Sequence, residues 1–245
     1  MGPADLCRYL DWDSEFFGCR IARVTAGRLS PGDMDRVAKW CTTHAIDCLY
    51  FLADTDSAET VRLAEDNGFR FVDTRVTLET RLDNRSAHER RIAHGDIRVS
   101  TPSDVPALRA IARASHRDSR FYYDANFADA RCDALYETWI EQSCHGYADV
   151  VLVAADAANQ PVGYISCQRT DREGQIGLLA VDARAQGKGL GQTLVSESLR
   201  WFAERGMTQV TVVTQGRNSR SQRAYQACGF LTRSMQHWYH WWVGR

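Results

Sequence analysis

The sequence contains no apolar run long enough to span a membrane and no early apolar segment that could act as a secretory signal. It also lacks an excess of either charge: 30 lysine and arginine residues face 31 aspartate and glutamate residues, for a formal net charge of −1. This balance gives no electrostatic reason to expect nucleic acid or a membrane surface as partner. We therefore expect a cytoplasmic protein.

The eight cysteines form no C-x-x-C pair and have no suitably spaced histidine, which argues against a zinc site. In a chain without a secretory signal they are expected to be reduced thiols, mostly small core residues. Hydrophobic residues make up 44% of the chain and charged residues 25%, which is typical of a soluble globular enzyme. We therefore expect an ordinary packed core and no metal.

A polar, highly charged stretch from Asp83 to Asp96 divides the sequence. Because it is poor in large apolar residues, it is typical of a linker or a long surface loop. We expect an N-terminal α/β region over residues 1–85, a linker over 86–95 and a C-terminal domain over 96–245. The C-terminal part alternates strand and helix patterns, which predicts an α/β (α+β) fold.

The end of the N-terminal region resembles the end of the C-terminal one. Asn67-Gly68-Phe69 follows a strand pattern and a helix pattern, as Cys228-Gly229-Phe230 does near the end of the chain. This similarity suggests a degenerate half-copy of the C-terminal fold. The alternative is that helix, glycine, phenylalanine and strand form a common junction.

The most informative segment is Gln186–Gly191, with the sequence QGKGLG. It comes shortly after a strand pattern that ends at Val181, and it opens a long amphipathic helix. Glycines at alternate positions let the backbone approach a ligand closely. Amide groups at a helix N-terminus favour negative charge, so the segment predicts a pyrophosphate site. A flexible turn without a ligand is the alternative, but the flanking strand and helix argue against it.

The order of these residues excludes both G-x-x-x-x-G-K-[ST] and G-x-G-x-x-G. It matches Q/R-x-x-G-x-G/A and so resembles the acetyl-CoA signature of the GNAT superfamily of N-acetyltransferases. A second segment agrees, because residues 218–230 resemble the family pattern N-x-x-A-x-x-x-Y-x-x-x-G-F. Ser221 replaces the alanine of that pattern, and Tyr225 holds the tyrosine position.

The resemblance implies the GNAT fold, a mixed central sheet flanked by helices. Its fourth and fifth strands, here Gln175–Val181 and Gln209–Thr214, should splay apart and hold acetyl-CoA in a V-shaped gap. The resemblance also implies that Tyr225 is the general acid and that Asn218 helps to bind the cofactor, although packing and helix capping are their alternatives. Implied cofactor contacts are Leu179, Ala180 and Val181 along the pantetheine, and Gln186, Gly187, Lys188, Gly189, Leu190 and Gly191 at the pyrophosphate.

Further stretches resemble the TDP-fucosamine acetyltransferase family, in the same order over nearly the whole chain. They are Leu10–Gly18, Ser119–Phe121, Leu135–Glu141 and Ile176–Ala180. This resemblance implies an enzyme of enterobacterial common antigen (cell-surface lipopolysaccharide) synthesis. It would acetylate the 4-amino group of dTDP-4-amino-4,6-dideoxy-galactose.

Acyl transfer needs a neutral amine, a polarised thioester and a proton for the departing thiolate. We expect direct attack by the amine in a ternary complex, with a backbone N–H near Val181 polarising the thioester carbonyl. A phenol has a reference pKa of about 10, so Tyr225 would keep the proton it donates. The sequence does not identify a base.

The acceptor site is less clearly marked. Aromatic rings stack on a base and arginine pairs with a diphosphate, so candidate substrate-binding residues can be chosen by type. Core packing is the alternative for the aromatic ones. The candidates are Phe17, Arg120, Phe121 and Tyr122.

Two other functions stay open. The acceptor could be a protein N-terminus, an amino acid or a polyamine; a polyamine predicts an acidic cleft, whereas a nucleotide sugar predicts a basic and aromatic one. A non-catalytic CoA-binding module would lack the glycine loop or the tyrosine, and this chain has both. The N-terminal region does lack them, with Ala64 at the position of Tyr225. We expect that region to bind no CoA and to act as scaffold or acceptor-site wall.

Aromatic residues are concentrated near the end of the sequence, and they predict a covered strand. Core packing and a homodimer contact are the two interpretations of this pattern. The residues are Trp238, Trp241 and Trp242.

Overall fold

The computed structural model describes residues 6–82 and 96–244. Within this part, the chain forms one ten-stranded sheet with helices on both faces. The expected linker at 86–95 lies outside the described residues. None of the helices described is both long enough and apolar enough to cross a membrane.

The N-terminal region contains four strands and three helices. Ser30 caps one helix in a capping box with Asp33, and Pro31 occupies a first-turn position, where its missing N–H costs nothing. The sequence predicted a strand and a helix just before Asn67, and these are the fifth and sixth of the seven elements described in this region. The elements are β1 (Cys7–Tyr9), α1 (Asp11–Phe17), β2 (Ile21–Val24), α2 (Pro31–Thr43), β3 (Cys48–Asp54), α3 (Ala58–Asp66) and β4 (Arg70–Arg81).

Within residues 96–244, the C-terminal region contains six strands and four α-helices, and their alternation confirms the predicted α/β arrangement. The elements are β5 (Asp96–Val99), α4 (Val105–Ser115), α5 (Asp129–Gln142), β6 (Val150–Ala155), β7 (Pro161–Thr170), β8 (Glu173–Val181), α6 (Leu190–Ala203), β9 (Gln209–Gln215), α7 (Ser219–Ala227) and β10 (Leu231–Trp242).

The strand order is β1-β2-β3-β10-β4-β9-β8-β7-β6-β5. Strand β10 lies between β3 and β4 and is antiparallel to both. The C-terminal strand therefore joins the two regions of the chain into one sheet.

Strands β8 and β9 are parallel neighbours that pair at one end. Their pairing extends as far as Ile176 opposite Val212. Beyond that point, β8 continues to Val181 alongside β7, and β9 continues to Gln215 alongside β4. The two strands thus leave a wedge between them, which confirms the splayed pair of the GNAT fold.

The N-terminal region repeats the β-α-β ending of the C-terminal one. The Phe69 amide donates to the Ala64 carbonyl at 3.0 Å, and the Phe230 amide donates to the Tyr225 carbonyl at 3.1 Å. The glycine before each phenylalanine has a φ of +79° or +89°, in the left-handed region that favours glycine. The two junctions therefore have the same geometry, and Ala64 holds the position that Tyr225 has in the second one.

The helices cover the sheet in two layers. Face A, which carries Tyr50 and Tyr164, packs against α1, α4 and α5. Face B, which carries Phe51 and Ile165, packs against α2 and α3 in the N-terminal region and against α6 and α7 in the C-terminal region.

Both faces of β10 are covered by the chain's own side chains in its C-terminal half, whereas residues 231–235 are exposed. On face B, Trp241 stacks on Phe69 with ring centroids 5.4 Å apart. On face A, Trp242 packs against Phe127 at 5.3 Å. Core packing therefore accounts for these aromatic residues.

Candidate active site

The predicted pyrophosphate loop lies between the end of β8 and the start of α6. Gly187 and Gly189 have φ values of +80° and +78°, a conformation that side-chain-bearing residues rarely adopt. Gly189 is the N-cap of α6, so the amides that follow it point out of the helix N-terminus. The loop therefore has the form that an anion site requires.

A cleft with a volume of about 370 Å³ lies at this loop, against the end of β8 and the start of α7. Lys188, also expected at the pyrophosphate, is exposed to solvent. Nine of the expected cofactor contacts line the cleft: Leu179, Ala180, Val181, Gln186, Gly187, Gly189, Leu190, Gly191 and Asn218.

The backbone of β8 presents free amides to the wedge. The Leu178 amide donates to the Ser166 hydroxyl of β7 at 2.8 Å, and the Asp182 amide donates to the Val162 carbonyl of β7 at 2.9 Å. Because successive residues of a strand direct their amides to opposite edges, those of Leu179 and Val181 point into the wedge. They are therefore available to a pantetheine arm or a thioester carbonyl.

Gln186 links the loop to this strand. Its Nε2 donates to the Val181 carbonyl at 2.8 Å, and its Oε1 accepts from Arg220 Nη1 at 2.5 Å. Arg223, one turn along α7, also lines the cleft. These two arginines add positive charge beside the loop. No sequence motif marked them, although their i, i+3 spacing next to Asn218 places them on one helix face.

Tyr225 lies on α7 directly behind the cleft wall. Four residues of the same helix line the cleft, namely Arg220, Ser221, Arg223 and Ala224, whereas Tyr225 itself is buried. Burial raises the pKa of the Tyr225 phenol well above its ordinary value, so the hydroxyl stays protonated at neutral pH. Asn218 caps the helix, with its Oδ1 accepting from the Ser221 amide at 3.0 Å.

His116, at the end of α4, forms part of the opposite wall of the cleft. Its Nε2 lies 3.0 Å from the Tyr164 hydroxyl, and its ring stacks on Tyr136 with centroids 4.5 Å apart. Burial lowers the pKa of His116 to about 4, so the imidazole is neutral at pH 7. No motif in the sequence marked this residue.

Among the candidate acceptor residues, Arg120 has the most distinctive surroundings. Its guanidinium carbon lies 4.7 Å from the ring centroid of Tyr50 and 4.3 Å from that of Trp238. Its Nε donates to His240 Nε2 at 3.1 Å. The ring of Phe121 lies against the same guanidinium at 4.2 Å.

The other candidates lie in the packed layer on face A. Phe121 is only 2% exposed, and Phe17 stacks on it at 5.3 Å. Tyr122 donates its hydroxyl hydrogen bond to Asp133 of α5 at 2.8 Å. The structure therefore brings Arg120 to an aromatic frame on face A and places Phe17 and Phe121 in the core beneath it.

A buried carboxyl group, also missed by the sequence analysis, lies on β4. Burial raises the pKa of Asp73 to about 6, against the opposing effect of Arg217. The Arg217 Nε lies 3.6 Å from Asp73 Oδ1, and its guanidinium carbon lies 3.3 Å from the Tyr123 ring centroid.

A second cavity, of about 800 Å³, lies against β7 and β8 at Gly177 and Leu178. Gly177 is needed there because a Cβ would lie 2.8 Å from the Ser166 hydroxyl oxygen. Two indole rings form part of its wall, those of Trp12 and Trp139.

A wedge between parallel strands, a glycine loop at a helix N-terminus and a buried tyrosine beside it together define a CoA-dependent acyltransferase. The chain belongs to the acetyltransferase (GNAT) family, whose model matches residues 108–230. It is therefore an N-acetyltransferase of a family that uses acetyl-CoA.

The chain is 29% identical over 235 residues to dTDP-fucosamine acetyltransferase of Escherichia coli O6:H1, covering 94% of this chain and 95% of that protein. It is 27% identical over 144 residues to the spore coat polysaccharide biosynthesis protein SpsD of Bacillus subtilis, covering 59% of this chain and 50% of that protein. A GCN5-related N-acetyltransferase from Sphaerobacter thermophilus has the same fold, with a TM-score of 0.65 at 15% identity, covering 96% of this chain and 75% of that one.

Proposed function

We propose that this enzyme transfers the acetyl group of acetyl-CoA to the amino group of a nucleotide-linked amino sugar, dTDP-4-amino-4,6-dideoxy-galactose. The observation that carries the proposal is the basic and aromatic surface around Arg120, on the sheet that also forms the wedge. A polyamine acceptor would call for an acidic surface instead. The similarity to dTDP-fucosamine acetyltransferase, over almost the full length of both chains, supports the same acceptor.

In this proposal the CoA pyrophosphate binds to the amides of Gly187–Gly191, where the helix dipole favours its charge. Arg220 and Arg223 lie beside it and add positive charge. The pantetheine arm runs along β8 and pairs with the amides of Leu179 and Val181. Gln186 holds the loop and the strand together at the point where these two parts of the cofactor meet.

The reaction proceeds by direct attack in a ternary complex. The acceptor nitrogen forms a bond to the thioester carbon, and the carbonyl oxygen takes up negative charge beside a β8 amide. When the intermediate collapses, the carbon–sulfur bond breaks and the departing thiolate takes the proton of the Tyr225 hydroxyl. The amine releases its own proton. That proton passes to solvent water, and solvent returns a proton to Tyr225.

The N-terminal region, residues 1–85, serves as scaffold and acceptor-site wall beside the domain at 96–245. Its half-copy has Ala64 where the C-terminal copy has Tyr225, so it lacks the proton donor. We propose that it binds no CoA. Because one relative is a polysaccharide biosynthesis protein, we place the product among the precursors of a cell-surface polysaccharide.

The test is acetyl-CoA turnover against a panel of dTDP-, UDP- and GDP-linked amino sugars, with release of free CoA as the readout. We expect the dTDP-linked 4-amino sugar to give the highest kcat/KM. Turnover with a polyamine or an N-terminal peptide, and none with any nucleotide sugar, would contradict the proposed acceptor.

A further inference from the structure

Face A of the sheet carries a group of arginines without carboxylate partners. Arg8 and Arg23 lie directly opposite each other across β1 and β2, Arg75 lies on β4, and Arg120 follows α4. Within residues 6–82 and 96–244, none of the four takes part in an ion pair. Like charges directly opposite in a strand pair are destabilising. We call Arg23, Arg75 and Arg120 the arginine cluster; Arg8 lies at its edge.

These side chains are close enough to influence one another. Burial lowers the pKa of Arg23, and the charges of Arg8 and Arg120 lower it further. Burial likewise lowers the pKa of Arg75, followed by the charges of Arg23 and Arg120. The Arg75 Nε is buried and has no hydrogen-bond partner among the described residues. A buried hydrogen-bond donor without an acceptor costs free energy, and a bound anion would supply the acceptor that the cluster lacks.

Aromatic rings hold the guanidinium groups in place. Trp238 lies under both Arg23 and Arg120, with guanidinium carbons 5.9 Å and 4.3 Å from its ring centroid. The Tyr50 hydroxyl, next to Arg120, is also buried without a partner among the described residues.

The nearest acidic groups leave the arginine cluster positively charged. Asp13 and Asp73 both interact with Arg120 through their charges. Asp73 is also close, but Arg217 lies 3.6 Å from it and balances its charge.

The position of the cluster relates it to the acyl-transfer wedge. Arg75 pairs in register with Gln215, the last residue of β9 and part of the stretch that has separated from β8. An anion held at Arg75 therefore lies next to the open end of the wedge, on face A. Tyr225 packs in the core of face B, on the other side of the sheet.

We propose that the arginine cluster binds the diphosphate of a nucleoside-diphosphate-linked acceptor. This inference rests on the proposed function, which it deepens. In a pyranose whose amine is at C4, the diphosphate at C1 lies on the opposite side of the ring. When the amine is at the wedge, the diphosphate therefore lies away from the wedge. Arginine suits this role because its planar fork of donors binds phosphate oxygens in pairs.

The experiment is a calorimetric titration of dTDP into protein saturated with CoA, so that the cofactor's own diphosphate site is filled. Arg23→Met and Arg75→Met are compared with wild type and with Arg62→Met, which removes an exposed arginine of α3. Thymidine serves as the phosphate-free probe. Each cluster variant removes one of several like charges, so we expect it to fold.

We expect each cluster variant to weaken dTDP binding by about tenfold or more and to leave thymidine binding unchanged, while Arg62→Met behaves as wild type. Absence of dTDP binding to the CoA-saturated protein, or dTDP affinities within about twofold of wild type in both cluster variants, would overturn the inference. If the cluster variants weaken dTDP binding but no nucleotide amino sugar is acetylated, the proposed function fails and the diphosphate site stands. If nucleotide amino sugars are acetylated equally well by wild type and both variants, the function stands and the site fails.

Discussion

The Gln186 side chain lies against the end of β8, with its Nε2 2.8 Å from the Val181 carbonyl oxygen. This contact fixes the glycine loop relative to the strand edge that faces the wedge. The loop is suited to the diphosphate of CoA and the strand edge to its pantetheine arm. One glutamine thus sets the spacing between the glycine loop and the strand edge, and Arg220 of α7 donates a hydrogen bond to that glutamine.

Replacement of Tyr225 by phenylalanine removes the proposed proton donor and little else, because the ring stays packed in the core. We expect kcat to fall by about 10²- to 10⁴-fold, the usual contribution of general acid catalysis. The Kd of acetyl-CoA, measured by calorimetry, should change little. Tyr239→Phe is the matched control, since it removes a buried tyrosine hydroxyl bonded to Glu65, far from the cleft. Turnover of Tyr225→Phe equal to that of the control would show that Tyr225 is not the proton donor.

Gly187→Ala tests the shape of the pyrophosphate loop. A Cβ at this position meets nothing within 4 Å, so any effect comes from the φ of +80°. A left-handed backbone conformation costs a residue with a side chain on the order of 1–2 kcal/mol. Relaxation of the loop to avoid this cost should weaken acetyl-CoA binding about tenfold.

Gly206→Ala is the control for this loop variant. Gly206 has a φ of +75° and equal space around it, but it lies in the turn after α6. Both variants should lose similar thermal stability, and only Gly187→Ala should raise the Kd of acetyl-CoA. Equal Kd values in the two variants would argue against the loop as the diphosphate site.

Arg220→Gln should weaken acetyl-CoA binding in a salt-dependent way. An exposed charge contact is worth on the order of 1 kcal/mol, so we expect roughly a three- to tenfold rise in Kd at low salt. The difference should shrink as ionic strength rises. Arg205→Gln, which removes an exposed arginine over the Trp201 ring, is the control. A rise in Kd that is the same at all salt concentrations would show a structural effect rather than an electrostatic one.

Unfolding should become easier between pH 7 and pH 5. Burial lowers the pKa of both His116 and His240 to about 4 in the folded protein, from an ordinary value of 6.5. Between these values the unfolded chain binds more protons, so the stability present above pH 6.5 is lost as pH falls towards 4. Each histidine contributes on the order of 3 kcal/mol across the full window.

Asp73 acts in the opposite direction, because its raised pKa of about 6 favours the folded state as pH falls. Burial also raises the pKa of Asp13, so these two carboxyl groups offset part of the effect of the two histidines. The urea midpoint should therefore decrease from pH 7 to pH 5, and it should decrease less in His116→Gln. A midpoint that rises over this interval would contradict the assignment of neutral, buried imidazoles.

Local patterns in the sequence predicted the alternating strands and helices of the C-terminal region and the glycine loop, and the resemblance to the GNAT superfamily implied the wedge. The segment Gln186–Gly191 requires glycine at two of its positions, because Gly187 and Gly189 adopt positive φ values. The half-copy was also visible, because Gly68 and Gly229 mark the same junction twice.

The acceptor side could not be predicted in the same way. Arg23 and Arg75 converge only because β10 enters between β3 and β4, a pairing between residues far apart in the sequence. An arginine in a strand has the same local pattern whether it faces solvent or a ligand. The aromatic signal was equally ambiguous, because Phe17 and Phe121 could belong to a cleft or to the core, and the structure places both in the packed layer.

The place of β10 in the sheet also affects how the chain can be made. Strands β3 and β4 leave the ribosome long before β10, yet each needs β10 as its neighbour. Until residues 231–242 emerge, a nascent chain has two unsatisfied strand edges, which invite misassembly or chaperone capture. The proposed acceptor-site wall is therefore completed only after the glycine loop has been synthesised.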